Sequence, residues 1–160
     1  ENNNKEVKIM NLTQKERDLL KDLKDQEQLC IEKYTKHAQT AVDSQLKNLF
    51  NMISGIESKH LDTLNQIENA ASCPQVGGGS SQKPTFTATY GPNENNDKKT
   101  DCFLCSDVLT TEKHASHLYD TCIFEFVDEN VRNVLNHIQK EEQEHGKMIY
   151  DYMNTNAMYS

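Results

Sequence analysis

The sequence predicts an all-α fold, a four-helix bundle made of two repeated helical hairpins joined by a long crossover linker. Two stretches, roughly 12–69 and 101–153, are rich in helix-forming residues, lack proline and contain one glycine each. Between them lies a segment of linker composition, which holds all three prolines and four of the six glycines. The second stretch also repeats the polar pattern of the first, which indicates a duplicated hairpin.

Each stretch is too long for one ordinary helix and has a break signal near its middle. The signals are Val42-Asp43-Ser44 and Val127-Asp128-Glu129. Aspartate favours the start of a helix there, because its side chain accepts hydrogen bonds from the free amides of the first turn. We therefore predict a bundle domain at 12–154 with helices at 13–41, 44–69, 102–126 and 129–154, a flexible Gly/Pro/Asn linker at 70–100, a disordered N-terminal tail at 1–11 and a tail at 155–160.

A shift of 85 residues overlays the first hairpin on the second. Between Leu19 and Glu68, 11 of 50 positions are then identical. The identities concentrate at polar positions and at the turns, and they include Asp22/Asp107, Glu27/Glu112, Tyr34/Tyr119, Val42/Val127, Asp43/Asp128, Ile53/Ile138, Glu57/Glu142 and His60/His145. A repeat that is strongest at polar positions indicates that both halves contribute to one site.

Each predicted helix carries a core-facing stripe of residues spaced three and four apart. At one level of every stripe, Glu, or Glu and His, replaces the apolar residue. The stripes are Leu20, Leu23, Glu27, Cys30, Tyr34, Ala38, Ala41; Leu46, Phe50, Ile53, Glu57, His60, Leu64, Ile67; Cys105, Val108, Glu112, Ala115, Tyr119, Cys122, Phe126; and Val131, Leu135, Ile138, Glu142, His145, Ile149, Tyr152.

The polar levels of the four stripes coincide in height. Glu27 and Glu57 each lie 15 residues from the turn at Val42, a distance of about 22 Å along a helix. The same spacing relates Glu112 and Glu142 to the turn of the second hairpin. In each Glu-x-x-His pair, the two side chains share one face and lie one turn apart.

Four carboxylates in one buried layer are untenable alone, because unpaired charge in a protein interior is strongly destabilising. Two divalent cations balance four negative charges, and two neutral imidazoles complete the set. This is the di-iron or di-manganese carboxylate arrangement of four-helix bundles, so we expect two Fe or Mn ions, with Zn as another option. The predicted metal ligands are Glu27, Glu57, His60, Glu112, Glu142 and His145.

Tyr34 and Tyr119 lie two turns from the first glutamate of their hairpins. We predict that they donate hydrogen bonds to metal-bound carboxylates, with simple core packing as the alternative. For the whole layer, the alternative is a duplicated hairpin that kept polar core residues and binds nothing. No catalytic residue and no organic cofactor site is predicted, because the sequence shows no glycine-rich phosphate loop and no Ser/His/Asp triad.

Other ionisable and thiol residues carry weaker signals. The five cysteines form no disulfide framework, and Cys102 and Cys105 make a single C-x-x-C pair, whereas a structural zinc site needs two pairs. The remaining histidines and the glutamates beside Glu142 fall off the polar layer. We expect them on the surface: His37, His114, His117, His137, Glu141 and Glu144.

The composition argues against several classes of partner. A net charge of −8 disfavours binding to nucleic acid or to an anionic membrane surface. The sequence has no run of about 18 apolar residues, so no transmembrane helix is expected. The segment 1–11 is polar and lacks the apolar core of a signal peptide, so we expect the protein to stay in the cell that makes it.

The linker length predicts the topology of the bundle. Residues 71–100 can span about 90 Å when extended, whereas a bundle of this size is about 40 Å tall. The linker can therefore cross from one end of the bundle to the other. Helices two and three would then be parallel, with the two hairpin turns at opposite ends.

The pattern of Glu27, Glu57-x-x-His60, Glu112 and Glu142-x-x-His145 is similar to that of the ferritin-like superfamily, including rubrerythrins and manganese catalases. More specifically, the segments 112–119, 133–142 and 150–153 resemble the spore coat F family of endospore-forming Firmicutes. The resemblance covers the second hairpin, and the first resembles a diverged copy of it. It implies a ferritin-like fold and a sporulation context, in the mother-cell cytoplasm or the spore coat, without an established enzyme activity.

The sequence also departs from these families. It ends in Ala157-Met158-Tyr159, where the coat F family has a Gly-Trp-Tyr-like tail. Rubrerythrins carry a second C-x-x-C pair and a further carboxylate at the position of Ala115. These departures weaken the case for a rubrerythrin-type peroxidase.

Three functions follow from these patterns. The first is a structural or interaction protein of the spore coat that binds metal and associates with other coat proteins or with itself, for example as a homodimer. The second is a small di-metal oxidoreductase that consumes peroxide or oxygen. The third, iron storage, needs a cage-forming shell and is the weakest of the three.

Overall fold

The computed structural model describes residues 11–69, 73–77 and 83–159. Within these ranges the chain forms four helices and no strand: α1 (Gln14–Thr40), α2 (Ser44–Asn69), α3 (Asn96–Ile123) and α4 (Glu129–Thr155). The predicted all-α four-helix class is confirmed. The predicted tail at 1–11, apart from Asn11, lies outside the described residues, as do most of the glycine-rich run at 77–81 and Ser160.

Side-chain caps start all four helices. Thr13 and Glu16 form a reciprocal capping box at the start of α1. Asp43 accepts from the amide of Gln45 at 3.1 Å, and Asp128 accepts from the amide of Asn130 at 2.8 Å. Both Val-Asp turns therefore cap the following helix as predicted.

The bounds of α3 differ most from the sequence prediction of 102–126. The helix begins at Asn96, where Asn95 caps the first turn by accepting from the amide of Lys98 at 2.8 Å. The first turn was missed because its polar residues, 96–100, have the composition of the preceding linker. Lys98 is nevertheless buried, and its ammonium group donates to the carbonyl of Gly91 at 3.0 Å.

The two hairpins pack with their turns at opposite ends of the bundle. The amide of Val42, in the first turn, donates to Asp101 near the start of α3. At the other end, the amide of Val127, in the second turn, donates to Glu16 near the start of α1. Helices α1 and α3 are therefore antiparallel neighbours, and α2 and α3 are parallel. The crossover topology predicted from the linker length is confirmed.

Two apolar clusters fill the interior, one near each hairpin turn. Every residue of the four predicted stripes is buried. The first cluster includes Phe50, Ile53, Val108 and Tyr152, and the second includes residues such as Leu64. The six polar residues of the layer belong to neither cluster. Among the described residues, no helix combines the length and apolarity that a membrane span requires.

A buried polar network closes the end of the bundle that holds the first turn. Asp101 is fully buried and accepts from the amides of Val42 at 2.8 Å and Asp43 at 2.9 Å, and from the hydroxyl of Tyr90 at 2.7 Å. The side chain of Asn156 accepts from the amide of Tyr90 at 3.0 Å. These bonds attach the segment before α3 to the second hairpin, and they attach α3 to the turn of the first.

Candidate metal centre

The polar layer predicted from the sequence is assembled between the two apolar clusters. Its six side chains are at most 3% exposed. All four helices contribute: Glu27 from α1, Glu57 and His60 from α2, Glu112 from α3, and Glu142 and His145 from α4. The structure therefore brings all six predicted residues together, while their role as metal ligands stays a prediction.

The ligand-type atoms of the layer form two overlapping groups. Within each group, one such atom from every residue lies within 4.8 Å of the others. The groups are Glu27, Glu57, His60, Glu142 and Glu57, Glu112, Glu142, His145. Glu57 and Glu142 belong to both groups, as expected for carboxylates placed between two cations. Buried clusters of this composition can hold metal ions.

The two imidazoles turn the same nitrogen towards the carboxylates. Nδ1 of His60 lies 2.9 Å from Glu57 and 3.4 Å from Glu142. Nδ1 of His145 lies 3.3 Å from Glu57 and 3.5 Å from Glu112. The rings stack with their centroids 5.8 Å apart. In both rings Nδ1 is therefore the nitrogen placed to bind a cation.

The two tyrosines contact the layer across the hairpins. Tyr34, from the first hairpin, donates to Glu112 of the second, and Tyr119 of the second hairpin donates to Glu27 of the first. Both tyrosines are fully buried. They fix the orientation of the two carboxylates in addition to filling the core.

Several buried polar atoms of the layer have no hydrogen-bond partner in the described part of the chain. They are one oxygen each of Glu27, Glu57 and Glu112, both oxygens of Glu142 and both ring nitrogens of His145. The contacts of the His145 Nδ1 atom are attractive but not aligned as hydrogen bonds. An unpartnered buried polar atom costs about 1–3 kcal/mol, and more when it is charged. Coordination to divalent cations satisfies such atoms, so the donor set fits metal ions.

Protons supply the compensating charge when no metal is bound. Burial raises the pKa of Glu27 and Glu112 well above the usual carboxyl value. Burial opposes ionisation of Glu142 too, but the close imidazoles of His145 and His60 hold the pKa of Glu142 well below that value.

The pKa of Glu57 is likewise lowered, since contacts with both imidazoles outweigh its burial and the charge of Glu142. Burial disfavours the charged form of His60 and His145, yet the surrounding carboxylates raise the pKa of both rings well above the usual value. In the metal-free layer these shifts favour the protonated forms of Glu27, Glu112 and both imidazoles and the ionised forms of Glu57 and Glu142.

Glu141, which was expected on the surface, is only partly exposed and also contacts the layer. Its carboxylate is about one-third exposed, and Oε2 lies 2.6 Å from Nε2 of His60. The missed signal is its position directly before Glu142, at the edge of the stripe that faces α2. His37 is also partly buried, with Nε2 2.7 Å from Asp107.

The other residues that were expected on the surface are at least partly exposed. His114 and His117 are exposed, and His137 and Glu144 are half-buried. All five cysteines are free. Cys105 is fully buried, and burial raises the pKa of its thiol.

Residues 100–160 match the family model of the Coat F domain. This Coat F segment contains most of α3 and all of α4, and with them Glu112, Tyr119, Glu142 and His145. The match supports the predicted relation to the spore coat F family for the second hairpin, and it covers less than half of the chain. Neither a curated protein nor a solved structure matches the chain.

Proposed function

We propose that this chain is a spore-coat-type protein with a structural or interaction role, whose ferritin-like bundle holds two Fe or Mn ions. Glu57 and Glu142, which belong to both groups, would contribute carboxylates to both positions. Glu27 and His60 would complete one position, and the other would be completed by Glu112 together with His145. Bound metal would supply the positive charge that this layer otherwise obtains from protons, and Zn remains a compatible substitute.

The observation that carries the proposal is the pair of overlapping, fully buried groups of ligand atoms. Four glutamates are at most 2% exposed, yet no lysine or arginine pairs with them within the described ranges. Buried carboxylates are rare unless they are paired with cations or coordinate a metal, and here the two imidazoles are the sole cationic candidates for four glutamates in the described part of the chain. The orienting hydrogen bonds from Tyr34 and Tyr119 further support a site built to hold its carboxylates in place.

Metal content per chain tests the proposal. Protein reconstituted with Fe²⁺ or Mn²⁺ and then dialysed should retain two ions per chain by elemental analysis. Glu57→Ala removes a bridging ligand and His60→Ala removes an imidazole, so neither variant should retain two ions. Helix content by circular dichroism should stay largely intact, because the two apolar clusters are unchanged.

His117→Ala provides the matched control. It also removes an imidazole, but from an exposed position on α3 away from the layer. This variant should retain both ions. Two ions retained in Glu57→Ala and His60→Ala alike would refute the assignment.

The Coat F segment supports placing the protein in the spore coat or in the mother cell that assembles it. Its expected partners are other coat proteins or a second copy of the chain. Immunodetection should find the protein in coat extracts of purified spores and not in vegetative cells. Equal amounts in both would contradict a coat role.

A di-metal oxidoreductase is the second candidate. Each group supplies four ligand residues, whereas Fe and Mn accept up to six ligands, so positions for peroxide or oxygen would stay open. A peroxide-decay assay on metal-loaded protein, with Glu57→Ala as the metal-deficient control, separates catalysis from passive binding. Equal decay rates in the two samples would exclude turnover at this site.

A further inference from the structure

The two imidazoles of the layer have unequal surroundings on their outer side. Nε2 of His60 lies 2.6 Å from Glu141, whose other oxygen lies 3.5 Å from Nε2 of His137. Nε2 of His145 has no hydrogen-bond partner among residues 11–69, 73–77 and 83–159. One imidazole is therefore held by a carboxylate on its far side, and the other is not.

A sequence difference between the two halves of the repeat accounts for the unequal surroundings of the two imidazoles. The counterpart of Glu141 in the first hairpin, 85 residues earlier, is Ile56, and the counterpart of His137 is Met52. Both counterparts are half-buried. The side chain of Ile56 has no atom that can accept a hydrogen bond, so the repeat offers His145 no carboxylate at this position.

The inner donors, in contrast, are matched between the two groups. Each group contains three carboxylates and one imidazole, and Glu57 and Glu142 are common to both. Glu27 and Glu112 each accept a hydrogen bond from the tyrosine of the other hairpin. The two cation positions therefore differ outside the ligand atoms, at the outer nitrogens of the two histidines.

An imidazole that binds a metal through Nδ1 carries its proton on Nε2. A carboxylate that accepts this proton fixes the tautomer and the ring orientation and makes Nδ1 a stronger donor. We infer, on the basis of the two-metal site proposed above, that the position of Glu27 and His60 binds its ion more tightly than the position of Glu112 and His145. Glu141 is the positioning residue that creates the difference.

Variants that retain one position each allow the comparison. Because the bridging glutamates couple the two ions, the steps of a wild-type titration do not identify the positions. Metal-free His145→Ala and His60→Ala are therefore titrated with Mn²⁺, with free Mn²⁺ followed by electron paramagnetic resonance. His145→Ala should bind one ion about 10–100-fold more tightly than His60→Ala does.

Removing the outer carboxylate should abolish this difference. Glu141→Ala in the His145→Ala background is expected to weaken Mn²⁺ binding about 10–100-fold, and Glu141→Gln provides a second variant of nearly unchanged shape. Glu144→Ala is the matched control, since it removes a neighbouring carboxylate on α4 that does not contact His60. Ile56→Glu in the His60→Ala background should strengthen binding by supplying the missing carboxylate to His145.

Two results would overturn the inference while leaving the metal site intact. One is equal Mn²⁺ affinity in His60→Ala and His145→Ala, and the other is an effect of Glu141→Ala no larger than that of Glu144→Ala. Failure of the folded wild-type protein to bind Mn²⁺, Fe²⁺ or Zn²⁺ would refute this inference together with the proposed function.

Discussion

Loading the metal-free protein with two divalent ions should release about four protons per chain near neutral pH. The number follows from charge balance in the buried layer. The directions of the pKa shifts favour protons on Glu27, Glu112 and both imidazoles and ionised forms of Glu57 and Glu142. Two divalent cations bring four positive charges and require the ligands in their deprotonated forms, so each ion displaces two protons.

The same charge balance sets the pH dependence of binding. While all four protons are held, the apparent dissociation constant for each ion should fall about 100-fold per unit rise in pH. Isothermal titration calorimetry with Mn²⁺ in buffers of different ionisation enthalpy measures the number of protons released. A weakly buffered titration with a pH indicator gives an independent count.

His117→Ala, which leaves the layer intact, should release the same number of protons as the wild-type protein. Stoichiometric binding of two ions with fewer than about two protons released would refute the reasoning. The layer would then be ionised before metal binding, and its negative charge would have to be balanced by other means.

Three further outcomes are expected. Tyr34→Phe and Tyr119→Phe should each destabilise the metal-free protein by about 1–3 kcal/mol in urea unfolding, because each removes a buried hydrogen bond to a carboxyl group; no change in either would contradict their orienting role. Asp101→Ala should cost at least about 2 kcal/mol, since the amides of Val42 and Asp43 and the hydroxyl of Tyr90 lose their acceptor, and a neutral result would contradict its place in the end network. In excess chelator, the free energy of unfolding should fall as the pH rises from about 5 to 8. Four groups have raised pKa values in the folded protein, so the unfolded chain loses these protons first, beginning near the usual values of 4.5 for Glu and 6.5 for His. The two glutamates with lowered pKa values lose their stabilising contribution only below this window, so constant stability from pH 5 to 8 would contradict the assigned shifts.

The stripes and the polar layer could be predicted because they depend on local periodicity and on counting residues from a turn. Glu27 and Glu57 lie at equal distances from Val42, and a helix converts equal numbers of residues into equal heights. The repeat supplied the same relation for the second hairpin. The crossover topology followed from the length of the linker alone.

The features that were missed depend on contacts between segments distant in sequence. Asp101 gives no local sign that it accepts from the turn at Val42 and from Tyr90. Glu141 shares its helix with the layer, but its contact with His60 depends on how α4 faces α2. The start of α3 at Asn96 could not be read from a polar segment whose burial is decided by tertiary packing.

The residues of each candidate cation position come from both hairpins. The Coat F segment by itself carries Glu112, Glu142 and His145, three of the four residues of its position, and depends on Glu57 from the preceding hairpin for the fourth. In the proposed metal centre an isolated hairpin of this kind would be a half-site, which a second hairpin, from the same chain or another copy, would have to complete. Metal in this layer would hold the two hairpins together, because the hairpins could not separate without loss of ligands from each ion.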